Sequence, residues 1–361
     1  TCTATVTVMD NEAPNALCQD VTVQLDATGN ASIVAADVDN GSTDNCAILN
    51  MTVSPSVFTC AGVGPNPVTL TVTDVNGNIA SCNAIATVED NVPPVAICQN
   101  ITIQLDASGN ATIVATQVNN GSSDACGIAS LVVSPNTFDC SNVGANTVAL
   151  TVTDVNGNVS TCTSNVTVED NVNPFAVCQD ITVQLDASGN ASIVAADIDG
   201  GSTDNCAIDL LSVSPGAFAC SNVGGNIVTL TVTDVNGNVS TCTADVTVED
   251  NVAPNALCQD IMVQLNGSGS ASIVAADVNN GSNDNCAIAS LAVSPNSFNC
   301  SNVGANTVTL TVTDVNGNVS TCTAQVTIED NVNPAALCQD ITVQLDAAGN
   351  ASITASQVDG G

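Results

Sequence analysis

The chain has 361 residues, of which 35 are Asp or Glu and none is Lys, Arg or His, for a formal charge of -35. That excludes cation-driven nucleic-acid binding, a histidine general base, a Ser-His-Asp triad and a lysine Schiff base, a Lys–Asn isopeptide cross-link and every side-chain salt bridge. Hydrophobic residues still make up 44%, and the wealth of Val, Ile and Thr supplies a β-rich core rather than a disordered acidic tail.

The 18 cysteines read as the disulfide framework of an exported protein. No run of about 18 apolar residues is present to span a membrane. The chain opens at Thr1 inside a pattern and without a signal peptide, which reads as an excerpt of something longer. Cys18, Cys98, Cys178, Cys258 and Cys338 each lie 80 residues apart, and the series from Cys46, Cys60 and Cys2 share that period. The expected frame is a tail at 1–13, repeats at 14–93, 94–173, 174–253 and 254–333, and the start of another at 334–361. A fixed period marks an array, and a unit of this size holds its own small core.

Within the third repeat the elements run in order as follows. Ile181 to Leu185 alternates, the turn Asp186 to Asn190 follows, and Ala191 to Val194 completes an expected hairpin. A polar loop from Asp197 to Asn205 leads to Leu210–Val213, stopped at Ser214-Pro215-Gly216. Val228 to Thr233 alternates again, and Asp234-Val235-Asn236-Gly237-Asn238 turns into Val239 to Val248. No segment shows a convincing helical period. Six or seven short strands predict an all-β fold, an array of immunoglobulin-like β-sandwich domains set end to end.

Four cysteines per repeat allow three pairings within it. In an immunoglobulin-like sandwich the first and last strands run parallel and adjacent, which places the first cysteine beside the fourth. The expectation is Cys18–Cys82, Cys98–Cys162, Cys178–Cys242 and Cys258–Cys322. The middle pair then closes a short loop: Cys46–Cys60, Cys126–Cys140, Cys206–Cys220 and Cys286–Cys300. Loop entropy sets upper figures of roughly 4 kcal/mol for the long bridge and about 3 for the short one. Phe58, Phe138, Phe218 and Phe298 read as core residues, and Phe175 falls at a junction.

The strings Cys178-Gln179-Asp180-Ile181-Thr182-Val183, Asp204-Asn205-Cys206, Phe218-Ala219-Cys220-Ser221-Asn222-Val223-Gly224 and Thr231 through Cys242 resemble the hyalin-repeat-like family. They are most similar to its tandem versions in giant surface adhesins of Bacteroidota, gliding adhesins among them. The resemblance covers essentially the whole chain. It implies an extracellular, cell-surface immunoglobulin-like module used for adhesion or as a stalk. Many members carry Pro after the first cysteine, where this chain has Gln19 or Gln99. Fold analogy does not itself give a function.

Acidic positions drift unequally among the repeats. Asp26 becomes Asn266, Asp37 becomes Gln117 and Asp20 becomes Asn100, whereas the series from Asp44, Asp74, Glu89 and Asp90 stay acidic in every complete repeat. On a sandwich these series converge at the junctions, where oxygen ligands from three segments suit Ca²⁺. The candidate ligands are Glu89, Asp90, Asn91, Asp124, Asp154 and Asn156 at one junction. At the next they are Glu169, Asp170, Asn171, Asp204, Asp234 and Asn236. Those of the last are Glu249, Asp250, Asn251, Asp284, Asp314 and Asn316. The connection Glu89-Asp90-Asn91 also resembles the calcium-binding linker of cadherins, whose other calcium motifs are missing. Met9 replaces Glu at the first junction, which weakens a site there. The same Asp and Asn residues also make good turns and caps without a metal, and both readings stand.

The sequence thus predicts a structural stalk or filament segment of a long adhesin, at roughly 35–40 Å per domain, or roughly 150–180 Å in all. Its partners are the neighbouring repeats, with a surface or polysaccharide reached by a distal region outside the segment. A carbohydrate- or partner-binding module and a self-assembling fibre subunit are the alternatives. An enzyme is disfavoured, because nothing sets two carboxylates in a cleft. The uncompensated charge opposes lateral sticking.

Overall fold

The computed structural model describes residues 2–361. It forms two compact units, one of Thr1–Pro174 with Asp204–Ile208 and Asp234–Asn238, the other of Phe175–Thr203, Asp209–Thr233 and Val239–Gly361. Both are built from the same all-β sandwich, with units of about 80 residues repeated along the chain.

In the first repeat the strands are β1 (Val21–Gln24), β2 (Asn30–Ser32), β3 (Ile48–Ser54), β4 (Val57–Thr59), β5 (Gly64–Asp74) and β6 (Ile79–Glu89). One layer is a four-stranded sheet in the order β1-β6-β5-β3, and the other is the pair β2-β4. β1 runs parallel to β6, with Val21 opposite Ala86, while β5 is antiparallel to both β6 and β3. Alternation along β5 buries Val68, Leu70 and Val72, and β6 adds Ala84, Ala86 and Val88. These pack with Phe58, Ile33 and Val38 in one core. Phe58, Phe138, Phe218 and Phe298 are all buried, whereas Phe175 is 70% exposed.

Two features of the secondary structure differ from the sequence expectation. The segments expected as a hairpin do not pair. Ile181–Gln184 runs parallel to Val239–Glu249, and Asn190–Ser192 pairs with Ala217–Ala219 in the opposite layer. The turn at Asp186 therefore acts as a corner between sheets. Second, the expected polar loop from Asp197 is entered through one turn of helix, Ala195–Ile198, whose Ile198 is fully buried. The Asp197 carboxylate accepts the Val194 N–H at 2.7 Å, so a local cap forms a turn too short to show a period. Among the described residues no helix is long and apolar enough to cross a membrane.

The structure joins first to fourth cysteine as Cys18–Cys82, Cys98–Cys162, Cys178–Cys242 and Cys258–Cys322. The expected bridges Cys46–Cys60, Cys126–Cys140, Cys206–Cys220 and Cys286–Cys300 are absent. In their place the third cysteine of one repeat binds the second of the next: Cys60–Cys126, Cys140–Cys206 and Cys220–Cys286. The cause is strand direction. β3 starts at the Asp74 end of β5, with Ile48 opposite Asp74, and travels toward the other end. β4 changes layer and continues the same way, reaching Thr59 beside Asn30. The second and third cysteines consequently sit at opposite ends of a sandwich. Seven residues of β3 alone cover roughly 23 Å, against the limit of about 7 Å between bridged Cα atoms. Cα atoms of the inter-repeat bridges are 5.1 to 5.4 Å apart. Cys46 and Cys300 are unpaired and exposed, as are Cys2 and Cys338.

Candidate metal centre at the repeat junctions

Three segments meet at each junction: the exit of one repeat, the loop before the third strand of the next, and its turn between the two long strands. In the first unit, Asp170, Asp204 and Asp234 bring a carboxylate oxygen each within 4.8 Å of one another. Asp250, Asp284 and Asp314 do the same in the second unit, whereas in the first Asp90 and Asp124 group with the sulfur of Cys126 and not with Asp154. Cys126 is bonded to Cys60, so its sulfur is no thiolate ligand.

The turn supplies the most fixed member. Asp234 is buried; its Oδ1 accepts the N–H groups of Asn236 and Asn238 at 2.8 Å, and its Oδ2 accepts Asn238 Nδ2 at 2.7 Å. The same Asn238 amide donates to the carbonyl of Asp170 at 3.1 Å, tying the turn to the incoming connection. Gly237 closes the turn at φ +93°, in the left-handed region open to glycine. Asp154 and Asp314 hold equivalent turns. Burial alone would raise their pKa, but the amide and backbone N–H donors outweigh it and hold both carboxyls below the ordinary value.

The loop is the second member. Asp204 Oδ2 accepts the N–H groups of Cys206 at 2.9 Å and Ala207 at 3.2 Å. Its Oδ1 is buried with no partner. Asn205 donates from Nδ2 to Asp170 Oδ1 at 3.1 Å and to the Asp106 carbonyl of the preceding repeat at 3.2 Å. The third member, Asp170, is 5% exposed and leaves Oδ2 unpartnered. Asn236 Oδ1 is likewise buried and unpartnered.

Several sequence candidates stand apart from this cluster. Glu89 Oε2 accepts Gln24 Nε2 at 2.6 Å, and Asn91 donates to Gln24 Oε1 at 2.7 Å. Glu169 with Asn171, and Glu249 with Asn251, make the same exposed arrangement with Gln104 and Gln184. Neighbours along an extended chain point to opposite sides; Asp90 turns inward, so Glu89 and Asn91 turn outward. The backbone N–H groups of Asn156 and Asn316 donate into the turns. Sequence reasoning missed Asn158, Asn238 and Asn318, although each directly follows its turn's Asn-Gly pair. It also missed Asn205 and Asn285, which Ala125 replaces in the second repeat.

The donor set fits a hard divalent cation. Every available ligand is an Asp or Asn oxygen, the chemistry of Ca²⁺ or Mg²⁺ rather than of thiolate-loving metals. Buried acceptor oxygens without donors are costly. With no Lys, Arg or His anywhere in the chain, only an ion from outside or a proton can offset the clustered charge. Asp10 and Asp44 form a like group with Cys46, whose counterparts in later repeats are bonded to the repeat before.

No protein-family model matches the chain. Hyalin of Strongylocentrotus purpuratus is 27% identical over 385 residues, covering 98% of this chain and 31% of hyalin. That similarity supports a hyalin-repeat-like relationship, and the chain spans under a third of the relative's length. Among solved structures, the protocadherin GammaB4 extracellular domain matches with TM-score 0.32 and 14% identity, over 94% of this chain and 70% of that one. Drosophila N-cadherin EC1-4 gives 0.28 and 12%, over 86% of this chain and 100% of its own. Sidekick-1 immunoglobulin domains 1-5 give 0.30 and 9%, over 88% and 80%. At these scores the likeness carries no argument about the junctions. The chain's own geometry is that of disulfide-bonded, immunoglobulin-like repeats in tandem.

Proposed function

We propose that this chain is a load-bearing stalk segment of a long extracellular adhesin, with Ca²⁺ as the cation of its junctions. The observation that supports this reading is the bridge from the third cysteine of each repeat to the second of the next. One covalent connection leaves a swivel. A second one, at a different point of the interface, removes most of that freedom. A binding module has no need of such a staple, whereas a strut that transmits force does. The similarity to hyalin supports the adhesive setting, and attachment to a moving or gliding surface is the corresponding use. In this reading the working repeat is the 80-residue frame beginning at residue 14, with a distal region making the adhesive contact.

Load is carried around each sandwich instead of through it. The Cys18–Cys82 bridge short-circuits the repeat, and sixteen residues lead from Cys82 to Cys98. At ~3.5 Å per residue, the oxidised path extends to about 56 Å per repeat, against about 280 Å for 80 free residues. Single-molecule pulling tests this. The oxidised chain is expected to show no lengthening steps beyond about 60 Å, and the reduced chain steps of up to about 240 Å once the folded length is subtracted. Long steps in the oxidised chain would refute the mechanical reading.

A further inference from the structure

The staple and the cation site share one loop. Asp204 points a free oxygen into the cluster while its other oxygen holds the N–H of Cys206. Cys206 is itself bonded to Cys140 of the preceding repeat. Cys140 Sγ also lies 3.5 Å from the Asn205 carbonyl oxygen. Behind them sits Gly109, where even a Cβ would come within 2.7 Å of both that carbonyl and that sulfur. The loop therefore has little room to move while the bridge is closed. Asp284, Asn285, Cys286, Cys220 and Gly189 repeat the arrangement in the second unit.

We propose that divalent-cation binding at Asp170, Asp204 and Asp234 and closure of Cys140–Cys206 are thermodynamically coupled, making the junction a redox-gated cation site. This rests on the cation reading given above. Three carboxylates from separate segments repel one another, and assembling them costs ordering entropy. The closed bridge meets part of that ordering cost before the ion arrives. The ion in turn removes the repulsion that acts on the stapled loop. A dithiol reductant takes the bridge to two thiols, with two electrons and two protons supplied, and leaves as its own disulfide. The loop is then released and the cation is held less tightly. Linkage makes the effect reciprocal, so the bound cation protects the bridge.

The test compares the oxidised chain with the variant Cys140→Ser/Cys206→Ser/Cys220→Ser/Cys286→Ser, titrated with CaCl₂ in a calorimeter at low salt. The expected result is affinity weakened by about 5- to 150-fold at the two unstapled junctions. Equal affinities would overturn the coupling and leave the cation reading intact; no calcium binding by the oxidised chain would overturn both. A second measurement stands if the variant fails to fold. Partial reduction of the unmodified chain by dithiothreitol, followed by alkylation and mass spectrometry, is run with CaCl₂ or with chelator. Calcium is expected to slow the opening of Cys140–Cys206 several-fold relative to Cys98–Cys162, and an equal rate in chelator would overturn the proposal.

Discussion

Two junctions of the first unit share a plan and differ in the loop and in the cluster, which takes in the turn carboxylate of Asp234 at one but not that of Asp154 at the other. Both have a stapled loop, a buried turn aspartate (Asp154 or Asp234) and an incoming aspartate (Asp90 or Asp170) with a free Oδ2. Asn158 and Asn238 reach the incoming carbonyl in the same way, at 3.0 and 3.1 Å. The loop residue after Asp204 is Asn205, which ties Asp170 to the Asp106 turn behind it. After Asp124 it is Ala125, whose methyl only packs near Gly29. The staple and the turn are thus the constant frame, and the amide is an added polar tie that one junction works without.

The most disruptive way to probe the shared frame is to remove the turn aspartate. Asp154→Ala and Asp234→Ala each remove the acceptor of two backbone N–H groups and leave the Asn158 or Asn238 amide with the incoming carbonyl alone. Each is expected to cost about 3 kcal/mol, read by denaturant unfolding of the oxidised chain. A loss at one junction only would break the premise that the turns are equivalent.

Opening a staple comes next. Cys60→Ser/Cys126→Ser and Cys140→Ser/Cys206→Ser each remove a ring closed over 66 residues, worth about 2–4 kcal/mol. Limited digestion with a Glu- and Asp-directed protease is expected to cut the junction at Ala125 faster than the one at Asn205. Equal cutting would show that the amide tie contributes nothing once the bridge is gone.

Swapping the differing residue sharpens the contrast directly. Asn205→Ala is expected to cost about 1–1.5 kcal/mol and to lower calcium affinity at that junction. Ala125→Asn is expected to raise both, by less, because its neighbours have not adjusted to it. Thermal melting in calcium and in chelator checks both directions.

The smallest effect is in pH. The Asp154 carboxyl is held below its ordinary value, so its folded pKa lies under the unfolded value of about 3.9. Its contribution to stability is complete above about pH 4 and is lost as pH falls through the lower folded value. A melting profile in acid should therefore drop more steeply for the unmodified chain than for Asp154→Asn.

Much of the frame was legible because alternation and turn chemistry are local. The long strands at Val228 and Val239, the buried phenylalanines and the Asp234 turn all follow from short strings. The second and third cysteines did not yield, because their pairing depends on whether the chain turns back at Ser54-Pro55 or crosses to the other layer. Only sheet assignment settles that, and the partner then lies in the next repeat, outside any pairing counted within one. Glu89 and Asn91 were grouped with Asp90 by adjacency, although alternation sets them on the other side. Asn205 escaped notice because the second repeat has Ala125 there, and repetition was the guide.

The covalent joint between adjacent repeats runs from third cysteine to second. It is tested most directly by non-reducing peptide mapping of the intact chain, alkylated at low pH and cleaved at Asp and Glu, since the chain has no Lys or Arg for trypsin. Peptides linking Cys60 to Cys126, Cys140 to Cys206 and Cys220 to Cys286 are expected. Peptides linking Cys126 to Cys140, or Cys206 to Cys220, would contradict it.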